Sequence, residues 1–408
     1  MSISRRTLLS ASSGAGLATL APGLRVAFAA DGATAQRDIL IVVFLRFGSD
    51  GLQLIPPADD AAYRDARPTI GIAASGPNAA LPLGPLNGVS FFMNPNMPEL
   101  KALYDQDHLA VVQAAGIPTE SRSHFVSQEK MERGIADGEK QIAGGWLGRH
   151  LLARNLALPG LGAISTSPEV DVSLQGYAGS VAVPDVTRFD VAGGDFNLNI
   201  IDRMHVGPEP YIANARATID TIKTVTSKLL SNPRAPGNPA GYGTGQLSTS
   251  LRSVADIIKA NIGLEIATVD FGGWDHHANL NAFFGGQAQE LSKALAAFWT
   301  DMADYRTRLT LVTMTEFGRR VQENANGGLD HGAAAVMMVL GGNVNGGRMY
   351  GQWPGLKPAD LIAGDLRVTT DYRQILQEIL VKRRGETTPE AVFPSLTYRP
   401  VGLIKTAL

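Results

Sequence analysis

Five groups of acids, histidines and hydroxyls in this chain lie next to apolar, β-branched runs. Asp50 follows "DILIVVFLR", Ser123 and His124 follow "LAVVQAAG", and Asp275 to His277 follow "LEIATV". Glu316 ends "LTLVTMTE", and Asp330 with His331 precede "AVMMVLGG". In extended chain, residues i and i+2 share a face, so Asp275 and His277 point one way and His276 the other. Carboxylate oxygens mixed with imidazole nitrogens suit a divalent ion, and the histidine content favours Zn or Mn over Ca. One such ion, or two about 4 Å apart, would stabilise the charge that builds on a phosphoryl or sulfuryl group. Ser123 opens the helix-like "HFVSQEKMERG" and so faces the positive end of that helix, where an oxyanion is favoured. Arg122 and Arg319 are candidates for bidentate contacts to that anion.

Each residue also has a plainer reading. Asp50 lies in "GSDGL", where Asp-Gly is a strong turn pair. Ser123 reads equally as a helix cap, and Glu316 with Arg319 as a local ion pair. What favours a site is the joint placement of all five groups at strand ends.

The elements that must position these residues alternate. Strand-like runs from 38 to 46, 109 to 116, 264 to 273, 309 to 318 and 335 to 342 are separated by amphipathic stretches with three- and four-residue spacing. Helices are expected in "NMPELKALYDQ", "YIANARATIDTIKTVTSKLL", "STSLRSVADIIKANIG", "AQELSKALAAFWTDMADYR" and "DYRQILQEILVKR". That order predicts an α/β three-layer sandwich, a mostly parallel central sheet with helices on both faces and ligands at the carboxyl ends of the strands. The segment from 161 to 199 reads as short inserted strands or loops. The Pro- and Gly-rich stretch from 232 to 246 reads as a loop within one domain, since similar strands lie on both sides of it.

Composition narrows the classes. The chain has 408 residues, 44% hydrophobic and 18% charged, with a net charge of −2, so no global field draws in nucleic acid or an anionic membrane. It contains no cysteine, so a metal site must be built from Asp, Glu and His. No segment has the ~20 uninterrupted apolar residues of a membrane span. Residues 1–30 carry Arg5 and Arg6, then an Ala-, Gly- and Leu-rich stretch, then "AFA", which reads as a twin-arginine signal peptide cleaved near Ala29 or Ala30. The expectation is a single domain over 31–408, delivered by the twin-arginine export machinery to the periplasm or beyond.

The motifs "FLRFGSDGLQLIPPADDAAYRDARPTIGI", "TESRSHFVSQEKMERG", "DFGGWDHHANL", "TEFGRRVQENANGGLDHGAAAVMMVLGGNVNGGRMYGQWPGL" and "DYRQIL" resemble the exported bacterial family catalogued as domain of unknown function 1501. That family is similar in turn to the alkaline phosphatase and sulfatase superfamily. The resemblance implies that Asp50, Asp275, His277 and the Asp330-His331-Gly332 motif bind metal, with Glu316 at the strand end where that motif usually sits. It also makes Ser123 the nearest match to a nucleophile. The chain departs from its relatives at Asn94-Pro95, where they commonly read His-Pro, at Ala333, where they read His, and at His276, where they tend to have Thr.

The expectation is therefore an exported metal-dependent hydrolase of phosphate or sulfate esters. Its metal ligands would be Asp50, Asp275, His277, Glu316, Asp330 and His331, holding one or two Zn or Mn ions. Ser123, Arg122, His124 and Arg319 form the catalytic group, and the substrate is a small-molecule or glycan ester. Two alternatives stand beside it: a one-metal enzyme using activated water with Ser123 as a cap, and a scaffold or glycan- or envelope-binding protein that has lost turnover.

Overall fold

Every residue of β1 (Ile39–Leu45) is buried, because the strand carries apolar side chains on both faces. Ile39, Ile41, Val43 and Leu45 enter one core, and Leu40, Val42 and Phe44 enter the other. On the first face lie helices Pro98–Asp105, Gln246–Lys259 and Leu280–Asp301, which contribute Leu100, Leu251 and Leu295. On the second lie His124–Arg133, Trp146–Ala153 and Tyr372–Arg384, which contribute Met131, Leu147 and Ile375. This is the expected three-layer α/β sandwich. The computed structural model describes residues 37–118, 121–154, 161–188, 194–204 and 237–405, with single residues and short runs between 206 and 234. The twin-arginine segment lies outside the described residues, as does most of the helix expected from 211 to 230.

The remaining strands are β2 (Leu81–Leu86), β3 (Val89–Met93), β4 (Leu109–Gly116), β5 (Ala163–Ser165), β6 (Ser180–Ala182), β7 (Ile266–Phe271), β8 (Leu309–Met314), β9 (Ala335–Gly341), β10 (Arg348–Tyr350) and β11 (Thr370–Asp371). Among the described residues β2 and β3 form a separate hairpin, and the others form a nine-stranded sheet in the order β10-β4-β9-β8-β1-β7-β5-β6, with β11 also on β4. β1 pairs parallel with β7 and β8, and β5, β6, β10 and β11 continue the parallel pattern. Within this nine-stranded sheet, among the described residues, only β9 runs antiparallel to its neighbours, β4 and β8.

That one reversal matters for the site. Had β9 been parallel, the loop before it would lie at the amino edge of the sheet, away from the other groups. Running antiparallel, it brings Asp330 and His331 to the same carboxyl edge as Asp275 and Glu316.

Two elements differ from the sequence reading. Helix Leu280–Asp301 starts a full two turns before the expected stretch, because Gly285 and Gly286 weaken its local signal while Leu280 and Phe284 pack into the core. The segment read as strands or loops from 161 to 199 holds β5 and β6, but it ends in a helix, Gly194–Met204.

Candidate metal centre

Beyond β7 the chain must turn sharply to present its polar residues. Gly273 makes that turn at φ 90°, a conformation a side chain disfavours. Trp274 is fully buried and anchors the segment. His276 turns inward with it: the ring sits against Phe284 with centroids 5.3 Å apart, and its Nδ1 lies 3.1 Å from the carbonyl of Trp274. Asp275 and His277 share the opposite side, with His277 Nε2 3.0 Å from Asp275 Oδ1.

After β8 the chain runs outward and folds back on itself. Gly318 donates its N–H to the Ala333 carbonyl at 2.8 Å, Gly332 to Gly318 at 2.9 Å, and Arg320 to Asp330 at 2.9 Å, so His331 stands across from Arg319. Gly332 is required at this crossing because a Cβ there would run into the backbone of Arg319. The third contribution comes from His124, the first residue of helix His124–Arg133.

These three segments bring the ligand atoms of His124, Asp275 and His331 within 4.8 Å of one another. Asp275 Oδ1 lies 3.3 Å from His124 Nε2 and 3.4 Å from His331 Nε2. His277 Nε2 lies 2.9 Å from His331 Nε2. Nitrogen and oxygen atoms about 2.1 Å from one tetrahedral ion are separated by about 3.4 Å, so the spacing suits a shared ion.

The far sides of the rings are held in the way a metal-binding histidine requires. His331 Nδ1 donates to the Arg122 carbonyl at 2.7 Å, and His124 Nδ1 donates to Glu316 Oε1 at 2.7 Å. A proton on each Nδ1 leaves each Nε2 with a lone pair facing Asp275. His124 Nε2 is buried and has no hydrogen-bond partner, which is an orphan that a cation would satisfy. Burial, the nearby Arg319 and the other imidazoles keep the His331 pKa below its ordinary value, so the ring favours its neutral, ligating form.

Asp275 is the charged partner. Partial burial opposes its ionisation, but the hydrogen bond and charge of Arg319, with help from His277 and His124, hold its pKa down to about 2. Arg319 itself is buried and fully engaged. It donates to the carbonyls of Gly48 at 2.7 Å, Phe47 at 2.6 Å, Leu329 at 3.2 Å and Trp274 at 3.2 Å, and to Asp275 at 2.7 Å. Its guanidinium straps three segments together, which leaves no free fork for an anion. Asp330 is exposed and lies 3.4 Å from His277 Nδ1, on the outer side of that ring.

The other expected site residues have different surroundings. Glu316 is fully buried behind His124, and its Oε1 also accepts from the Phe47 amide and from Gln128, each at 2.9 Å. Asp50 is 2% exposed and is taken up by Arg67, itself 1% exposed, in a two-pronged ion pair; it also caps the short helix Gly51–Leu54. Arg122 reaches Asp365 at 2.6 Å. Ser123 occupies the N-cap beside His124, and its side chain makes no capping hydrogen bond. Asn94, where relatives read His, is buried and donates to the Gln53 carbonyl at 2.9 Å.

Sequence reasoning gave Arg67 no role, although it lies inside a quoted motif. Its importance comes from a contact with Asp50 that no local pattern reveals. The sequence associates His124 with the neighbouring serine rather than with the ligands, and its ring orientation separates the two roles.

Residues 250–388 match the family model described as Protein of unknown function (DUF1501). The matched stretch contains Asp275, His277, Glu316, Arg319, Asp330 and His331. No curated protein sequence matches the chain. Among solved structures, the C-terminal periplasmic domain of EcEptC from Escherichia coli in complex with Zn is 8% identical, covering 78% of this chain and 76% of that one, with a TM-score of 0.35. An alkaline phosphatase from the Antarctic bacterium TAB5 is 11% identical over 75% of this chain and 92% of that one, with a TM-score of 0.29. Ps i-CgsB in complex with k-i-k-neocarrahexaose is 9% identical over 77% and 68%, with a TM-score of 0.31. Scores this low describe a loose likeness of fold and nothing of chemistry.

Proposed function

We propose that the protein is an exported, metal-dependent hydrolase of phosphate or sulfate esters, with His124, Asp275, His277 and His331 holding one divalent ion. The observation that carries this reading is the convergence of the ligand atoms of His124, Asp275 and His331, with His277 Nε2 beside two of them, while the Nδ1 atoms of His124 and His331 are fixed from behind. Bound there, Zn or Mn supplies Lewis-acid stabilisation of charge on the phosphoryl or sulfuryl oxygens.

The chain's own residues do the rest. Glu316 holds the proton on His124 Nδ1, and the Arg122 carbonyl does the same for His331. Arg319 keeps Asp275 ionised and in place. Ser123 offers its hydroxyl at the start of a ten-residue helix, where a developing oxyanion also meets backbone N–H groups. Export rests on the N-terminal sequence pattern. Among the described residues no helix is long and apolar enough to cross a membrane.

The binding-only reading is favoured by one observation: Asp50 is committed to Arg67, which removes a ligand that a second ion would need. Hydrolysis of aryl phosphate and aryl sulfate by Zn- or Mn-loaded protein separates the two. Turnover that falls by about 100-fold or more in Asp275→Asn supports the enzyme. Full metal loading with no turnover of either ester would instead leave a binding protein. Turnover that survives Ser123→Ala assigns the attack to water.

A further inference from the structure

A cleft of about 730 Å³ opens directly from the metal centre, sharing Asp275 and His277 with it. It runs along the first two turns of helix Leu280–Asp301 and falls within the ~300–1,000 Å³ typical of small-molecule sites. Its far wall combines Phe283 with Ala282, Gly286 and Gln287. Phe283 is 63% exposed, an unusual position for a phenyl ring on an amphipathic helix, and no lysine or arginine lines the cleft. A second anionic group entering it would find no lysine or arginine to pair with.

Resting on the hydrolase reading above, we propose that this cleft is the subsite for the alcohol portion of the substrate, and that this portion is an uncharged ring laid against Phe283. An aryl group and the apolar face of a sugar ring share that chemistry. Nucleotides and other polyanions are disfavoured. Gly286 keeps its side of the cleft open: a Cβ there meets nothing within 4 Å, so a larger side chain at this position extends into the cleft without displacing its neighbours.

The test uses full-length mature protein loaded with Zn and two neutral probes that carry no ester, phenol and methyl β-glucoside, titrated by NMR. Saturable binding of either probe is expected, and the probe that binds identifies the ring. Phe283→Ala should weaken binding about tenfold, the size of one lost aromatic contact. Gly286→Leu should abolish it, and because leucine is a better helix former than glycine the variant stays folded. If neither probe saturates, or if both variants bind like the wild type, the proposal is overturned. Because the probes cannot be hydrolysed, ring binding without any ester turnover would sink the hydrolase reading and leave this subsite standing. Ester turnover with no effect of either variant on the preference for ring-bearing over methyl esters would do the reverse.

Discussion

Glu316 Oε1 lies 2.7 Å from Nδ1 of His124, while Nε2 of the same ring lies 3.3 Å from Asp275 Oδ1. The imidazole is thus held from behind by one carboxylate and directed at another. If Glu316 orients the ring, Glu316→Ala should lower divalent-metal affinity about 10–100-fold. Glu316→Gln should cost less, since its amide oxygen can still accept. Chelator competition measures both, and wild-type affinity in Glu316→Ala would show that the ring needs no support.

Asp50 and Arg67 make a structural prediction. Removing one member of a buried ion pair strands the other, so Asp50→Ala should destabilise the fold by about 3–5 kcal/mol. Replacing both, as Asp50→Leu with Arg67→Met, should recover much of that loss. Urea unfolding reads the two differences. Metal content of the folded double variant should match the wild type, and loss of the ion there would make Asp50 a ligand after all.

Gly332 carries the crossing that places His331. Gly332→Ala should cost about 1–3 kcal/mol, because the backbone of Arg319 must move to admit the methyl group. Metal affinity should fall with stability. An unchanged affinity would mean that His331 reaches the site without this close approach.

The sheet was largely legible because its strands are apolar, β-branched runs, and β1, β4, β7, β8 and β9 all lie where such runs occur. The direction of β9 was not legible, since periodicity carries no information on which way a strand runs. The types of site residue were readable from strand ends, but their layering was not. Asp50 and Glu316 resemble ligands in sequence, and only distant partners, Arg67 for one and His124 with the Phe47 amide for the other, draw them behind the site. The Asp275 to His277 alternation was readable, because an extended segment fixes which side chains share a face.

Far from the centre, His150 Nδ1 lies 2.6 Å from Glu386, with both side chains fully buried. Burial opposes ionisation of Glu386, but hydrogen bonds from His150 and Thr388 bring its pKa from 4.5 down to about 2. Burial also lowers the pKa of His150. A depressed carboxylate stabilises the fold above its unfolded pKa and loses that contribution as pH falls through the folded one. The Glu386 contribution should therefore disappear between about pH 4.5 and 2, with a slope of at most about 1.4 kcal/mol per pH unit for one proton. A neutral buried histidine works in the same direction below its ordinary value. In Glu386→Gln, urea midpoints measured against pH should lose the acidic component, and an unchanged acid profile would remove the pair from the account.

Elemental analysis of the protein, purified from its native host without chelators, tests the central claim most directly. About one equivalent of Zn or Mn per chain is expected in the wild type, and it should be lost in folded His124→Ala/His331→Ala protein. A wild type with no stoichiometric divalent ion, or a double variant that retains a full equivalent, would contradict the metal centre.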